Sequence, residues 1–315
     1  MWLVLFMFLM VDAFATSEEE LRLEQALEEA IADRHGEEAE SVARAILAHR
    51  SLRYGPKHLA IIAAKNDLAV TLKMQGQFDE AQSLYEEVLG VREAVLGPED
   101  PEVAETLNNL AKLHLELGHY DESKAMAERS VSIRRATLGP QHELTGSSLV
   151  TLGEALNGLG DYSAAEASFV EAIAIADGQL EPDDPELAGP LISHAVNLDD
   201  QGRHAEAEPF HRRALAVLEA GRPAGHKDIA IAVNSLGTNL YHQSRYAEAL
   251  PLFQRSLEMK EAVLEPTDSS IAYGANNLAY LHRTLGDFAA ARGLFERACT
   301  IWEDAYGHVH PKVSL

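Results

Sequence analysis

Leu107-Asn-Asn-Leu-Ala-Lys-Leu-His-Leu-Glu-Leu-Gly-His-Tyr120 and Ala275-Asn-Asn-Leu-Ala-Tyr-Leu-His-Arg-Thr-Leu-Gly-Asp-Phe288 are near copies, and the offset between them is four steps of 42. Counting by 42 from Gly76 reaches Gly118, Gly160, Gly202, Ser244 and Gly286. Two residues further on stand Phe78, Tyr120, Tyr162, His204, Tyr246 and Phe288. Three beyond those come Ala81, Ser123, Ala165, Ala207, Ala249 and Ala291. No insertion or deletion breaks the register, so the chain is a repeat array.

Each unit holds two amphipathic helices. Leu107, Leu110, Ala111 and His114 recur at the three- and four-residue spacing of one helix face. Leu117-Gly-His-Tyr120 interrupts that face, and Gly118 supplies the left-handed conformation that ends a helix. A second helix is expected from Asp121 to about Thr137, closed by Leu138-Gly-Pro140. The small residue at Ala81 and its equivalents lets the two helices approach closely. Tyr85, Phe169, His211, Phe253 and Phe295 are expected to fill the space between neighbours, with Ala127 as the weak copy. The lone Cys299 falls in the slot of Leu89, Val131, Ile173, Leu215 and Leu257, which predicts a buried core residue.

Positions 58, 100, 142, 184, 226, 268 and 310 alternate His and Asp. The histidines fall one to every second loop and cannot converge on one ion. Asp100-Pro101, Asp184-Pro185 and His310-Pro311 have the form of an N-cap followed by proline at the first helical position. No cofactor or metal is expected, and no His-Glu-x-x-His, Gly-x-x-x-x-Gly-Lys or Gly-x-Ser-x-Gly motif suggests an enzyme.

Bulk composition narrows the partners. The net charge is −24, from 50 acidic and 26 basic residues, which argues against nucleic acid. A solvated acidic surface is the simpler reading, and a basic partner is permitted. One cysteine excludes an internal disulfide framework. Met1-Trp-Leu-Val-Leu-Phe-Met-Phe-Leu-Met-Val11 is apolar but too short to span a bilayer, and Asp12-Ala-Phe-Ala15 follows with A-x-A spacing. This predicts a signal peptide over 1–15 and an exported protein, periplasmic or secreted. Its n-region has no Lys or Arg before Arg22, so a misplaced start, a membrane-associated tail or a cytoplasmic protein remain alternatives. Ser17-Glu-Glu-Glu20 reads as a capping box opening the first helix.

The array resembles the tetratricopeptide repeat, in the 42-residue form of kinesin light chains and their bacterial relatives. Asn108-Asn-Leu-Ala111, Gly118-His-Tyr120, Leu138-Gly-Pro140 and Ala207-Glu-Pro-Phe-His-Arg-Arg-Ala-Leu215 carry the resemblance. It implies an all-α, right-handed α-solenoid of antiparallel helix pairs. Six units are expected over 59–310, at 59–100, 101–142, 143–184, 185–226, 227–268 and 269–310. Residues 16–58 make a degenerate N-terminal capping pair, in which Arg34 and Gly36 replace the glycine and aromatic. Residues 311–315 begin a further helix, so that end is expected to expose apolar surface. Val150, Gly153 and His194 depart from the pattern. No segment resembles the heptads by which a kinesin light chain holds its heavy chain, so a motor role does not carry over.

The resemblance implies that the first helix of each unit lines a concave wall that binds extended peptides. Ten residues before each turn stand Asn66, Asn108, Val150, Ile192, Asn234 and Asn276. Asparagine competes with the backbone for hydrogen bonds and disfavours a helix interior, so its recurrence needs a reason. Its amide offers donors and an acceptor that match a peptide backbone. The alternative is that each asparagine bonds a neighbouring helix. Asn109, Lys112, Tyr241, Asn277, Tyr280 and Arg283 lie on the same helices at groove phases, with Tyr241, Tyr280 and Arg283 concentrating aromatic faces and a cation at the C-terminal end. The expected function is a protein- or peptide-binding scaffold with no membrane span. A self-assembling subunit, or a fragment of a larger effector, docking through the C-terminal end, is the alternative.

Overall fold

The computed structural model describes residues 18–32 and 36–306. The predicted leader, the Ser17 cap, Arg34, and the His310-Pro311 start of a further helix lie outside the described residues. Within them all regular structure is helical, and the chain divides into two compact halves, Met1–Thr151 and Leu152–Leu315.

In the N-terminal half, α1 (Glu18–Ala32) pairs with α2 (Gly36–Ser51), α3 (Leu59–Met74) with α4 (Phe78–Leu96), and α5 (Pro101–Glu116) with α6 (Tyr120–Thr137). Helix α7 (Glu143–Gly158) contains the boundary between the halves. The C-terminal half continues with α8 (Tyr162–Gln179) and a 3-10 turn at Pro185–Leu187 leading into α9 (Ala188–Asp200). Then come α10 (His204–Gly221), α11 (Lys227–His242), α12 (Tyr246–Val263), α13 (Ser269–Thr284) and α14 (Phe288–Tyr306). Pro190 has no N–H to give the carbonyl of Glu186, which accounts for the tighter first turn before α9.

The alternating His and Asp are N-caps at every described position. His58, Asp100, His142, Asp184, His226 and Asp268 each accept from the backbone N–H two residues on, at 2.7–3.2 Å. The turns close by one repeated bond, from the N–H after the turn residue to the carbonyl five residues earlier, as in Gln77 to Leu72 (3.0 Å) and Asp287 to His282 (2.9 Å). Gly76, Gly118, Gly160, Gly202 and Gly286 hold φ of 72–85°, and Ser244 is forced to φ 60° at the same place. A side chain in that region is strained. Ser244→Gly is therefore expected to stabilise the fold by about 0.5–1 kcal/mol after the greater freedom of glycine in the unfolded chain is set against it. Urea denaturation would show a raised midpoint; a lowered one would mean that the weak 3.4 Å bond from Tyr246 Oη to Ser244 Oγ outweighs the strain.

Ala81, Ser123, Ala165, Ala207, Ala249 and Ala291 are all buried where paired helices meet. The core of the N-terminal half gathers Ile46, Leu72, Tyr85, Leu110 and Leu113. That of the C-terminal half gathers Leu191, Leu236, Phe253, Leu278 and Trp302. The expectation for Cys299 is corrected: it is only partly buried. Its equivalent Leu257 is covered by Gly274 of the next first helix, where a Cβ would lie 3.3 Å from Leu257 Cδ1. Leu89 and Ile173, at the same register within the array, are likewise only partly buried.

Candidate functional site

The first helices α3, α5, α11 and α13 carry the asparagines, and the structure joins several of them in pairs one unit apart. In the N-terminal half, Asn109 Nδ2 donates to Asn66 Oδ1 at 3.4 Å, and Asn66 Nδ2 donates to Glu105 at 3.4 Å. In the C-terminal half, Asn277 Nδ2 donates to Asn234 Oδ1 at 3.0 Å. Each asparagine pair spans 43 residues, from one first helix to the next. Part of every paired amide is thus spent on the array, as the alternative reading anticipates, and part of its capacity is left over.

The predicted residues differ in access. Asn66 and Asn108 are buried, and Asn108 Oδ1 has no hydrogen-bond partner. Asn109, Lys112, Asn234, Tyr241, Asn276, Asn277 and Tyr280 are half-buried, and Arg283 is exposed. Asn276, Tyr280 and Arg283 come together: with Phe288, Phe295 and Trp302 they line a cavity of about 440 Å3 between α13 and α14. The Arg283 guanidinium sits 4.5 Å from the Tyr280 ring centroid, a cation–π geometry, and Tyr280 meets Phe295 edge-on at 5.2 Å. One unit earlier Tyr241 bonds Thr284 Oγ1 at 3.0 Å and packs against Tyr246.

The asparagine pattern alone passes over a second row. Counting by 42 from Tyr241 reaches Asp199, Asn157, Leu115 and Lys73, and forward it reaches Arg283. Lys73 bonds Glu116 at 2.9 Å and Asn157 bonds Asp200 at 2.7 Å, again 43 residues apart. The row is legible only by register, because its side chains share no chemistry.

Asp67 stands in the register of Asn109 and Asn277. Burial pushes its carboxyl up to about 6; Glu105 adds to the shift and a hydrogen bond from Asn66 opposes it. A carboxyl with its folded pKa above the unfolded value contributes stability below about pH 4 that is lost as pH rises through about 6. Asp67→Asn, which installs the residue the array uses elsewhere at this register, is expected to stabilise the fold by about 1–2 kcal/mol near pH 7.5. Below about pH 4 the gain should vanish. A gain of equal size at both pH values would show that ionisation is not its cause.

Among the described residues no helix is long and apolar enough to cross a membrane. No group of three or more His, Cys, Asp or Glu among them is arranged to hold a metal ion.

The sequence profile of the tetratricopeptide repeat matches residues 31–94, 61–136, 102–178 and 228–311. This chain belongs to the tetratricopeptide-repeat family. Between the matched segments lies an unmatched stretch, 179–227, around α9 and α10. Solved tetratricopeptide structures share the fold. The nearly identical TPR-like repeats of a Podosopora anserina chain described as a kinesin light chain are 19% identical, at a TM-score of 0.57, over 66% of this chain and 98% of that one. A Rap protein complexed with Competence and Sporulation Factor is 14% identical at TM-score 0.60, covering 95% of each chain. The APC/C hetero-tetramer Cut9–Hcn1 is 14% identical at TM-score 0.67, over 97% of this chain and 49% of that one. These identities speak for an all-α helical-repeat solenoid and for nothing finer. No curated protein sequence matches the chain. Tetratricopeptide repeats serve commonly as protein-interaction scaffolds and are generally not enzymes.

Proposed function

We propose that this protein is a non-enzymatic scaffold whose first helices hold an extended peptide segment of a partner protein. The observation that carries this reading is the recurrence of part-satisfied asparagine amides on successive first helices, Asn234 and Asn277 foremost, beside the cavity of Asn276, Tyr280 and Arg283. An extended peptide presents alternating N–H and C=O groups that the spare amide donors and acceptors match without demanding one side chain. The Rap protein, of similar fold, was solved with Competence and Sporulation Factor bound, which accords with ligand capture by this architecture.

Magnitude sets the expected strength. A few net hydrogen bonds of about 0.5–1.5 kcal/mol each, set against ordering the peptide, give about micromolar affinity. Selection from a displayed random-peptide library is expected to yield binders that lose about tenfold or more affinity for Asn234→Ala/Tyr280→Ala, with helicity unchanged. Binders indifferent to that variant would place the binding face elsewhere.

A second reading has its own observation. Phe288 is 70% exposed and Phe295 half-buried, whereas Phe253, one unit earlier, is 3% exposed. Self-association through the face of α14 would cover them. Light scattering after size exclusion tests it: a monomer independent of concentration removes this reading.

A further inference from the structure

A second cavity, of about 490 Å3, opens among α9, α10 and α11, partly within the stretch that the family profile leaves unmatched. Asp199, Asp200, His204, His211, Asn234 and His242 are among its lining, and no Lys or Arg is. Asp199 takes the register held by Lys73 at one end of the array and by Arg283 at the other, so the row changes sign here.

Asp199 is built in. His211 Nε2 approaches its Oδ2 at 2.8 Å, His204 Nδ1 approaches its Oδ1 at 2.8 Å, and Asn239 Nδ2 donates to Oδ1 at 2.7 Å. Burial alone would raise its carboxyl, but the hydrogen bonds from His211, His204 and Asn239 together outweigh that and hold it below the usual carboxylate range. The neighbouring guanidinium of Arg203 is held by Glu166 and Glu206, and that of Arg245 by Glu208 and Glu248, so neither is available to neutralise the cavity.

The carboxylate also fixes a tautomer. A neutral His211 must carry its proton on Nε2 to donate to Asp199, which leaves Nδ1 as a lone-pair acceptor. His211 is 2% exposed, and its Nδ1 is buried with no hydrogen-bond partner. A buried acceptor without a donor is destabilising, and native structures rarely leave one unexplained. The same logic puts the His204 proton on Nδ1, with its ring stacked on His242 at 5.0 Å between centroids. The lining therefore holds two carboxylates and, with His211 neutral, an imidazole whose buried Nδ1 is an acceptor without a donor.

We propose that this cavity is a subsite for a basic side chain, the guanidinium or ammonium of an Arg or Lys in the bound peptide. The assignment rests on the groove reading above. A cationic N–H group supplies both the charge that Asp199 and Asp200 lack and the donor that His211 Nδ1 lacks. Asn234 belongs to this cavity and to the asparagine pair with Asn277, so a peptide lying along the amides passes its mouth.

The test uses the full chain and three pools of random nine-residue peptides, carrying at the centre one fixed arginine, one citrulline or one glutamate. Citrulline keeps the shape of arginine and removes its charge. The expected result is binding of the arginine pool about tenfold tighter than the citrulline pool, with the glutamate pool weakest. Asp199→Asn and the exposed Asp200→Asn should each shrink that preference to about twofold while citrulline-pool binding persists. Equal binding of arginine and citrulline pools to the wild type would overturn the subsite and leave the groove reading standing. No binding of any pool would overturn both.

Discussion

Phe169→Ala is expected to lower stability by about 3–5 kcal/mol, the range for emptying a fully packed aromatic site. Phe169 is 1% exposed on α8 and faces Gly153 of α7. A Cβ built at Gly153 would stand 2.6 Å from Phe169 Cε1, so the ring occupies the volume that a side chain at 153 would need. Removing the ring leaves both positions empty, and the helices cannot collapse far because their ends are held by caps and turns. The reverse change is also harmful. Gly153→Ala gains about 1 kcal/mol of helix propensity but overpacks the ring, a loss of about 1–3 kcal/mol. Combined, the two changes should be less damaging than their sum, because alanine at 153 then fills space the ring has vacated. The array contains that solution already at Ala111 and Ala127. Equilibrium urea unfolding of the four proteins measures the coupling; strict additivity would contradict the packing account.

Arg92→Leu is expected to cost about 2–3 kcal/mol, the range for losing charge-assisted bonds. Arg92 is 3% exposed, yet its Nη1 donates to the Glu102 carbonyl (2.9 Å), Thr106 Oγ1 (2.8 Å) and Glu105 Oε2 (3.1 Å). The bond to a carbonyl ten residues on recurs: Arg50 to Ala60 at 3.1 Å, Arg134 to Leu144 at 2.7 Å and Lys260 to Ser270 at 3.3 Å. Each ties the C-terminal part of a second helix to the first turn of the following first helix. Charge-assisted bonds are worth about 1.5–3 kcal/mol, and leucine would leave the carbonyl short of its buried donor. Leu218 holds the same register, so the shape is tolerated and the loss should come from the bonds. Arg92→Lys, which installs the side chain that Lys260 uses at this register, should recover about half. If Arg92→Leu unfolds at the wild-type urea concentration, the cation row is not a staple between units.

The fold is legible because it is written six times. One glycine in one turn is weak, but a glycine, an aromatic and a small residue recurring together at one fixed period set helix, turn and register at once. Ser244 reads as a turn despite lacking glycine, since register outweighs local preference. Gly153 departs from the sequence pattern, and the structure shows it as the counterpart of Phe169, a complement between two paired helices. The burial expected of Cys299 fails because its slot lies at the margin of the core, where Leu89 and Ile173 are also only partly buried. The candidate site is legible in part. Asparagine repeats in one residue type and so can be counted, which leads to Asn66, Asn108, Asn234 and Asn276. The hydrogen bonds from one first helix to the next depend on the stacking of successive units, which a list of side chains does not contain. Asp199 and His211 escape for a different reason. They replace residues of other types at their registers, and only the three-dimensional meeting of His204, His211 and Asn239 on one carboxylate gives them meaning.

In the proposed mode, ligand lies along the first helices and not on the exposed faces of the second helices. Photo-crosslinking tests it most directly, with p-benzoylphenylalanine in place of Tyr241 or Tyr280 on α11 and α13, or of the exposed Val170 or Val263 on α8 and α12. With a library-selected peptide bound, crosslinks are expected from the Tyr241 and Tyr280 positions and none from Val170 or Val263. Crosslinks confined to the valine positions would contradict it.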